Sequence, residues 1–79
     1  MIKQICGSIA RVNVLPEYET EYEQEIDIYL ESGPTIEMCV PAEIAEQLMQ
    51  NIGTVAMFDI SDMTICGQHA RASGFKFSN

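Results

Sequence analysis

Acidic side chains alternate with other residues near the middle of this 79-residue chain, and they are its most conspicuous chemical groups. The acids of this row are Glu17, Glu19, Glu21, Glu23, Glu25 and Asp27. On a β-strand, alternate residues share one face and lie about 6.6 Å apart. Such a row is either an outer face that keeps the protein soluble or a set of fixed charges that resembles a nucleic-acid backbone.

The composition narrows the classes of protein to which the chain can belong. Twelve acids stand against four Lys and Arg, which gives a formal net charge of −8, and hydrophobic residues make up 47%. All the acids lie within residues 17–62, and residues 63–79 have none. This composition excludes a disordered chain and a free-standing binder of duplex DNA. The short length argues against a multi-step enzyme, because so small a chain has little surface left over to form a deep cleft.

Period-two patterns predict strands in the first half of the chain. Residues 2–15 form a first strand with Gly7 as its candidate bulge, and Pro16 ends it because proline donates no ladder hydrogen bond. Residues 21–31 form a second strand, on which Tyr22 packs inward with the isoleucines and the acids face outward. Residues 35–40 form a third strand.

The turn between the second and third strands fixes their predicted register. Ser32, Gly33 and Pro34 form a three-residue loop. That loop places Leu30 opposite Ile36. The same register places Glu37 beside Tyr29, on the acidic face.

The second half of the chain predicts a short helix and two more strands. Proline opens the helix at residues 41–51, and its apolar stripe comprises Ile44, Ala45, Leu48, Met49 and Ile52, with Gly53 as the C-terminal cap. Residues 54–60 form a central strand and residues 63–66 a short final one. Residues 67–79 form an edge strand or a docked tail. The order predicts a single domain over residues 1–79, a mainly β, OB-like barrel with one short α-helix between strands 3 and 4.

Two families share the pattern of the middle of the chain. The phrases EIDIYLESG, TIEMCVPAEIAEQL and GTVAMFDISDMTI make residues 5–66 resemble the small molybdate-binding barrels of the molbindin/TOBE type. That resemblance implies an OB-type barrel and, as an alternative function, oxyanion binding, although the family's oxyanion-binding start is absent from residues 2–6. The second phrase also resembles the strand–proline–helix of AbrB-type transcription factors, whose DNA face is basic where this one is acidic.

Three cysteines and one histidine are the candidates for a reactive or metal-binding group. The first residues lack the apolar run of a secretory leader, so we expect none, and the odd cysteine count favours the cytoplasm and reduced, buried thiols. Cys6, Cys39, Cys66 and His69 do not have the paired CxxC spacing of a zinc site. The Cys66–His69 pair lacks a third orienting group. We therefore expect no enzyme activity, no metal and no cofactor.

The acidic row and its tyrosines lead to a hypothesis of binding. By type, small acidic proteins without catalytic residues resemble phage inhibitors such as anti-CRISPR and anti-restriction proteins. We expect an inhibitor or adaptor that mimics DNA or RNA, binds a basic protein that handles nucleic acid, and contacts neither nucleic acid nor membrane directly. The sequence is also compatible with a structural subunit of a larger complex and with a homodimer. The expected partner-binding residues are Glu17, Tyr18, Glu19, Glu21, Glu23, Glu25, Asp27, Tyr29, Glu31 and Glu37.

Overall fold

A computed structural model describes residues 3–63 and 68–78, which form strands, one short α-helix and a 3-10 turn. In chain order the elements are β1 (Lys3–Leu15), a 3-10 turn (Pro16–Tyr18), β2 (Gln24–Leu30), β3 (Thr35–Val40), α1 (Ala42–Met49), β4 (Val55–Met63) and β5 (His69–Phe77). The predicted order of three strands, a helix and two strands is therefore confirmed, but the last strand is not the predicted 63–66. Met63 ends β4, and residues 64–66 lie outside the described residues.

The described strands close into a barrel in the order β1-β2-β3-β5-β4, and β4 returns to pair with β1. All neighbours are antiparallel except β3 and β5, which run parallel over three residue pairs. This is the strand order of an OB-like barrel, as the sequence predicted. Residues 67–79 were predicted as an edge strand or a docked tail, and within them His69–Phe77 form β5, which pairs with β3 on one side and β4 on the other.

Apolar side chains fill the barrel from all five strands, and α1 contributes to the core with one face. Phe58, Ile9 and Leu48 are among the largest fully buried side chains. The other buried core residues are Ile26, Ile28, Leu30, Ile36, Met38, Val40, Ala45, Ala56, Ala70 and Ala72. Along each strand of a small barrel, inward-facing residues alternate with outward-facing ones, and the inward side chains fill the interior.

The bulge of β1 lies at Ala10 and not at Gly7. The pairing of β1 with β4 runs without interruption from Lys3 to Ser8, whereas its register with β2 shifts between Ile9 and Arg11. The extra residue moves the inward face from odd to even positions along the strand. Gly7 instead points inward against the end of β2, where a Cβ atom would lie 3.0 Å from Leu30 Cδ1.

The β2–β3 hairpin keeps its predicted faces but not its predicted register. Ile36 pairs with Ile28 and not with Leu30, a shift of two residues. The connection comprises the four residues 31–34, with Gly33 at a φ of 117°. A two-residue shift leaves every side chain on its predicted face, because the side-chain period is two. It also moves Glu37 from Tyr29 to a position directly opposite Asp27.

Strand β2 begins at Gln24, so the predicted strand start at residue 21 is wrong. The two strands beside it stop at the same level, β1 at Leu15 and β3 at Val40, and a proline follows each. An earlier start would leave β2 without a hydrogen-bonding neighbour on either side. Residues 16–23 form the 3-10 turn and a loop, and Tyr22, predicted to pack inward, is 78% exposed.

Helix α1 is shorter than the predicted 41–51. It spans Ala42–Met49 with Pro41 at the N-cap. Ala45 and Leu48 are buried, as the predicted stripe requires, but Met49 and Ile52 are exposed. The predicted apolar stripe does not extend to Met49 and Ile52, because the helix ends at Met49. The chain then turns back to meet β1, where Gly53 N–H donates to the carbonyl of Ile9.

We expect Gly7→Ala to destabilise the barrel by about 1–3 kcal/mol, the usual cost of overpacking. The added methyl would lie 3.0 Å from Leu30 Cδ1 and 3.1 Å from Ser32 Oγ. Gly74→Ala is the matched control, since its methyl would lie 3.7 Å from Asp59 Oδ2, an ordinary contact. Urea unfolding of both variants measures the difference, and equal midpoints would show that the Leu30 contact is not tight.

Candidate partner-binding surface

Strands β2 and β3 carry a compact group of carboxylates on the outer wall of the barrel. Glu25 and Asp27 alternate with buried isoleucines on β2, and Glu37 lies between two buried residues on β3. Asp27 and Glu37 are cross-strand partners. Like charges directly opposite each other destabilise a sheet, so this part of the wall must be stabilised by other contacts.

Arg71 of β5 supplies a stabilising contact. Its Nη1 and Nη2 donate to Glu25 Oε2 at 2.8 Å and to Glu25 Oε1 at 2.9 Å, a bidentate pair. Nη1 also lies 3.7 Å from Glu37 Oε1. One guanidinium thus connects β5 with β2 across β3. The paired carboxylate of Glu25 raises the pKa of Arg71, as expected for a guanidinium hydrogen-bonded to a carboxylate.

His69 lies beside the same group. Its Nδ1 is 3.3 Å from Glu37 Oε2, and both side chains are partly exposed. His69 therefore adds a positive charge to this wall only when it is protonated.

Asp27 is a carboxylate whose ionised form the fold disfavours. Burial raises its pKa above the usual range, and the negative charges of Glu37 and Glu25 raise it further, while His69 opposes them. A raised pKa means that the folded protein disfavours the ionised form. The wall would therefore be stabilised by additional positive charge, whether a proton or a cationic group from outside.

Residues 16–23 comprise the 3-10 turn and the segment that leads into β2, and together they are called the loop before β2. This loop places further acids and two exposed tyrosines next to the wall. Tyr18 is 62% exposed and Tyr22 is 78% exposed. Thr20 fixes the end of the loop, because its hydroxyl accepts a hydrogen bond from the backbone N–H of Glu23 at 3.0 Å. The exposed acids of this loop are Glu17, Glu19, Glu21 and Glu23. A shallow groove between loop and wall is lined by Leu15, Tyr18, Glu25, Asp27, Glu37 and Arg71.

The remaining predicted site residues lie farther along the hairpin. Tyr29 is half-buried on β2, and the guanidinium carbon of Arg11 lies 4.4 Å from the centre of its ring. This cation–π contact uses one face of the ring, so Tyr29 is less available to a partner than Tyr18. Glu31 is exposed in the β2–β3 connection.

The structure divides the predicted row of acids into two parts. Only Glu25 and Asp27 lie on a strand, and the four preceding glutamates lie in the loop. The regular strand spacing on which mimicry of a phosphate backbone depended is therefore absent. Arg71 was not predicted as a site residue, because the sequence left residues 67–79 as either an edge strand or a docked tail. The only signal for it was a cation in the acid-free end of the chain.

Two cysteines are exposed, which corrects the prediction of buried thiols. Cys6 lies on β1 and Cys39 on β3, both at outward positions of alternating strands. Partial desolvation of the exposed Cys39 thiol by its neighbours, together with the charges of Glu23 and Glu25, raises its pKa. Cys66 lies outside the described residues, so the structure tests neither its pairing with His69 nor the zinc arrangement. Within 3–63 and 68–78, no group of three or more His, Cys, Asp or Glu residues could hold a metal.

We expect Asp27→Asn to stabilise the protein at neutral pH by about 0.2–1 kcal/mol, the scale of a cross-strand charge pair. The folded state binds the Asp27 proton more tightly than the unfolded chain does, so ionisation of Asp27 lowers stability above its raised pKa. The gain should therefore shrink as the pH falls through that pKa. Urea unfolding across acidic pH measures it, with Glu31→Gln as a control of equal charge. A gain independent of pH would contradict this assignment.

We expect Arg71→Met to lower stability by about 1–3 kcal/mol, because it removes charge-assisted hydrogen bonds from a carboxylate that is only 14% exposed. Lys3→Met removes an equal charge from an exposed position on β1 and is the control. Thermal unfolding at low and high salt compares the two variants. The Arg71 variant should recover partly in high salt, which screens the repulsion among the remaining carboxylates. Equal losses in both variants would show that only net charge matters.

In the part of the chain that the structure describes, no helix has the length and hydropathy needed to cross a membrane.

Comparison with known proteins places the chain in no family. No family model, curated protein or solved structure matches the chain.

Proposed function

We propose that this protein is a non-catalytic binding protein, an inhibitor or adaptor, that engages a basic groove on a partner that handles nucleic acid. The observation that supports this is the concentration of charge on one side of the barrel. Seven of the chain's twelve acids lie on the β2–β3 wall and the loop before it. The guanidinium of Arg71 is engaged by two of them.

The location of this charge supports the choice of partner. OB-folds bind oligonucleotides on the face of strands 2 and 3 and with the loop between strands 1 and 2. In this chain the same surface bears Glu25, Asp27 and Glu37, with further acids in the loop. A phosphate backbone would be repelled there, whereas a Lys- or Arg-rich surface would be attracted.

The two parts of the surface contribute differently to binding. The exposed loop acids create a long-range field that speeds association and weakens with salt. Tyr18 and Tyr22 supply large, rigid, amphipathic contacts at short range, the role in which tyrosine is enriched at interfaces. Positive charge brought against the wall would also relieve the repulsion between Asp27 and Glu37, so binding and the strain of the wall are coupled.

The decisive variant reverses two loop acids that take no part in the contact with Arg71. We expect Glu17→Lys with Glu21→Lys to slow association with the partner at least tenfold at low salt, because electrostatic steering depends on this field. Glu43→Lys with Glu46→Lys makes the same change of charge on α1 and should have a much smaller effect. Circular dichroism and thermal unfolding confirm that both variants remain folded.

The partner is first identified by capture on the immobilised protein from a lysate at low and high salt, followed by mass spectrometry. Association rates of the purified partner are then measured for wild type and both variants, with and without an oligonucleotide as competitor. The proposal requires that capture falls with salt, that the oligonucleotide competes and that the loop variant binds more slowly than the helix variant. Equal rates for the two variants, or no competition, would refute it.

A further inference from the structure

A second outer face of the barrel differs from the rest of the molecule because its charges cancel. Gly7, Phe58 and Phe75 point inward, so their strand neighbours on β1, β4 and β5 point outward. We name these outward residues the neutral face: Gln4, Cys6, Ser8, Val55, Met57, Asp59, Gly74 and Lys76. It carries one acid and one cation, so the net charge of −8 lies entirely outside it.

The centre of the neutral face is weakly polar and accessible. Cys6, Met57 and Lys76 form one row across the three strands, since Met57 pairs with both of the others. Cys6 is exposed, Met57 is partly exposed, and Val55 at the next outward position of β4 is 43% exposed. An accessible sheet face with these residues is suited to contact with another protein surface.

The two charges of this face are placed so that two copies of it can pair. Asp59 pairs with Gly74 and Met57 pairs with Lys76, so Asp59 and Lys76 are diagonal neighbours. Gln4 Nε2 donates to Asp59 Oδ1 at 2.8 Å. Neither Asp59 Oδ2 nor the ammonium group of Lys76 has a hydrogen bond or ion pair to any residue in 3–63 or 68–78. Both charges are therefore available to a second molecule.

We propose that the neutral face is the contact of a symmetric homodimer. In a twofold interface each patch meets itself, so a residue on one copy contacts its complement on the other. A twofold axis that passes between Asp59 and Lys76 would place Lys76 of each copy beside Asp59 of the other copy. The same axis would place Met57 of one copy against Met57 of the other. Elsewhere, two copies of a strongly acidic molecule repel each other. The neutral face is thus where self-association costs least.

This inference is independent of the proposed function, because the neutral face and the acidic surface lie on different strands of the barrel apart from the shared β5. A dimer would leave both acidic surfaces exposed. The chain would then present two such surfaces to a partner, which raises avidity without any new contact.

Sedimentation equilibrium over a range of concentrations tests the dimer. Wild type should approach twice the monomer mass of 8.8 kDa as concentration rises. Lys76→Glu and Asp59→Lys should each weaken the association at least tenfold, because each places like charges together. The double variant Lys76→Glu with Asp59→Lys should restore it, since both pairs are re-formed with reversed signs. A wild type that remains a monomer up to millimolar concentration, or no rescue in the double variant, would overturn the proposal.

Crosslinking gives a test that does not depend on altered charge. A short bis-maleimide should link two copies through Cys6, which lies in the central row of the neutral face. The crosslinked dimer should disappear in Cys6→Ser and persist in Cys39→Ser, whose thiol lies on the acidic wall. Crosslinking that survives Cys6→Ser would place the contact on another face and overturn the assignment.

Discussion

Closure of this barrel depends on a short parallel joint between β3 and β5. Within residues 3–63 and 68–78, the other strand pairs are antiparallel and longer, whereas this one comprises three residue pairs. Parallel pairing is also slightly less stable per residue. Arg71 lies within the joint, opposite Glu37, and its guanidinium reaches across β3 to Glu25. The ionic contact therefore reinforces the barrel at the place where backbone hydrogen bonding is least extensive.

The same contact makes the acidic wall compatible with folding. Asp27 and Glu37 oppose each other over a core of buried isoleucines, and the core offsets the electrostatic cost of keeping them together. A protein retains such a cost where the residues serve a purpose other than stability, as functional sites commonly do. The stability of the barrel and the charge of its outer wall are therefore opposing requirements on the same two strands.

The alternation of apolar residues predicted the barrel but could not predict where β2 begins. The loop residues 17–23 alternate acids with Tyr and Thr in the same period as the strand that follows. Whether they form a strand depends on the presence of neighbouring strands to pair with. Pro16 ends β1 and Pro41 ends β3, and both ends lie beside the start of β2. The four loop glutamates therefore lie outside β2 because β1 and β3 end there, and not because their own sequence pattern changes.

Register and thiol exposure escaped prediction for a related reason. A two-residue shift in the β2–β3 hairpin preserves every apolar face, so the pattern cannot distinguish the two registers, yet it decides which residue Glu37 opposes. The bulge at Ala10 exchanges odd and even positions along β1, and this puts Cys6 outside. Arg71 could not be assigned to the site, because its position follows from the β3–β5 joint, which connects residues far apart in the chain.

The position of β5 between β3 and β4 has a consequence for folding of the protein. Until β5 has docked, β3 and β4 are two open sheet edges with unpaired backbone groups, and the apolar interior is uncovered on that side. Exposed edges of this kind recruit other chains. The folding chain is therefore most vulnerable to aggregation just before β5 docks, and the acids of residues 17–37 give such chains mutual repulsion during that interval.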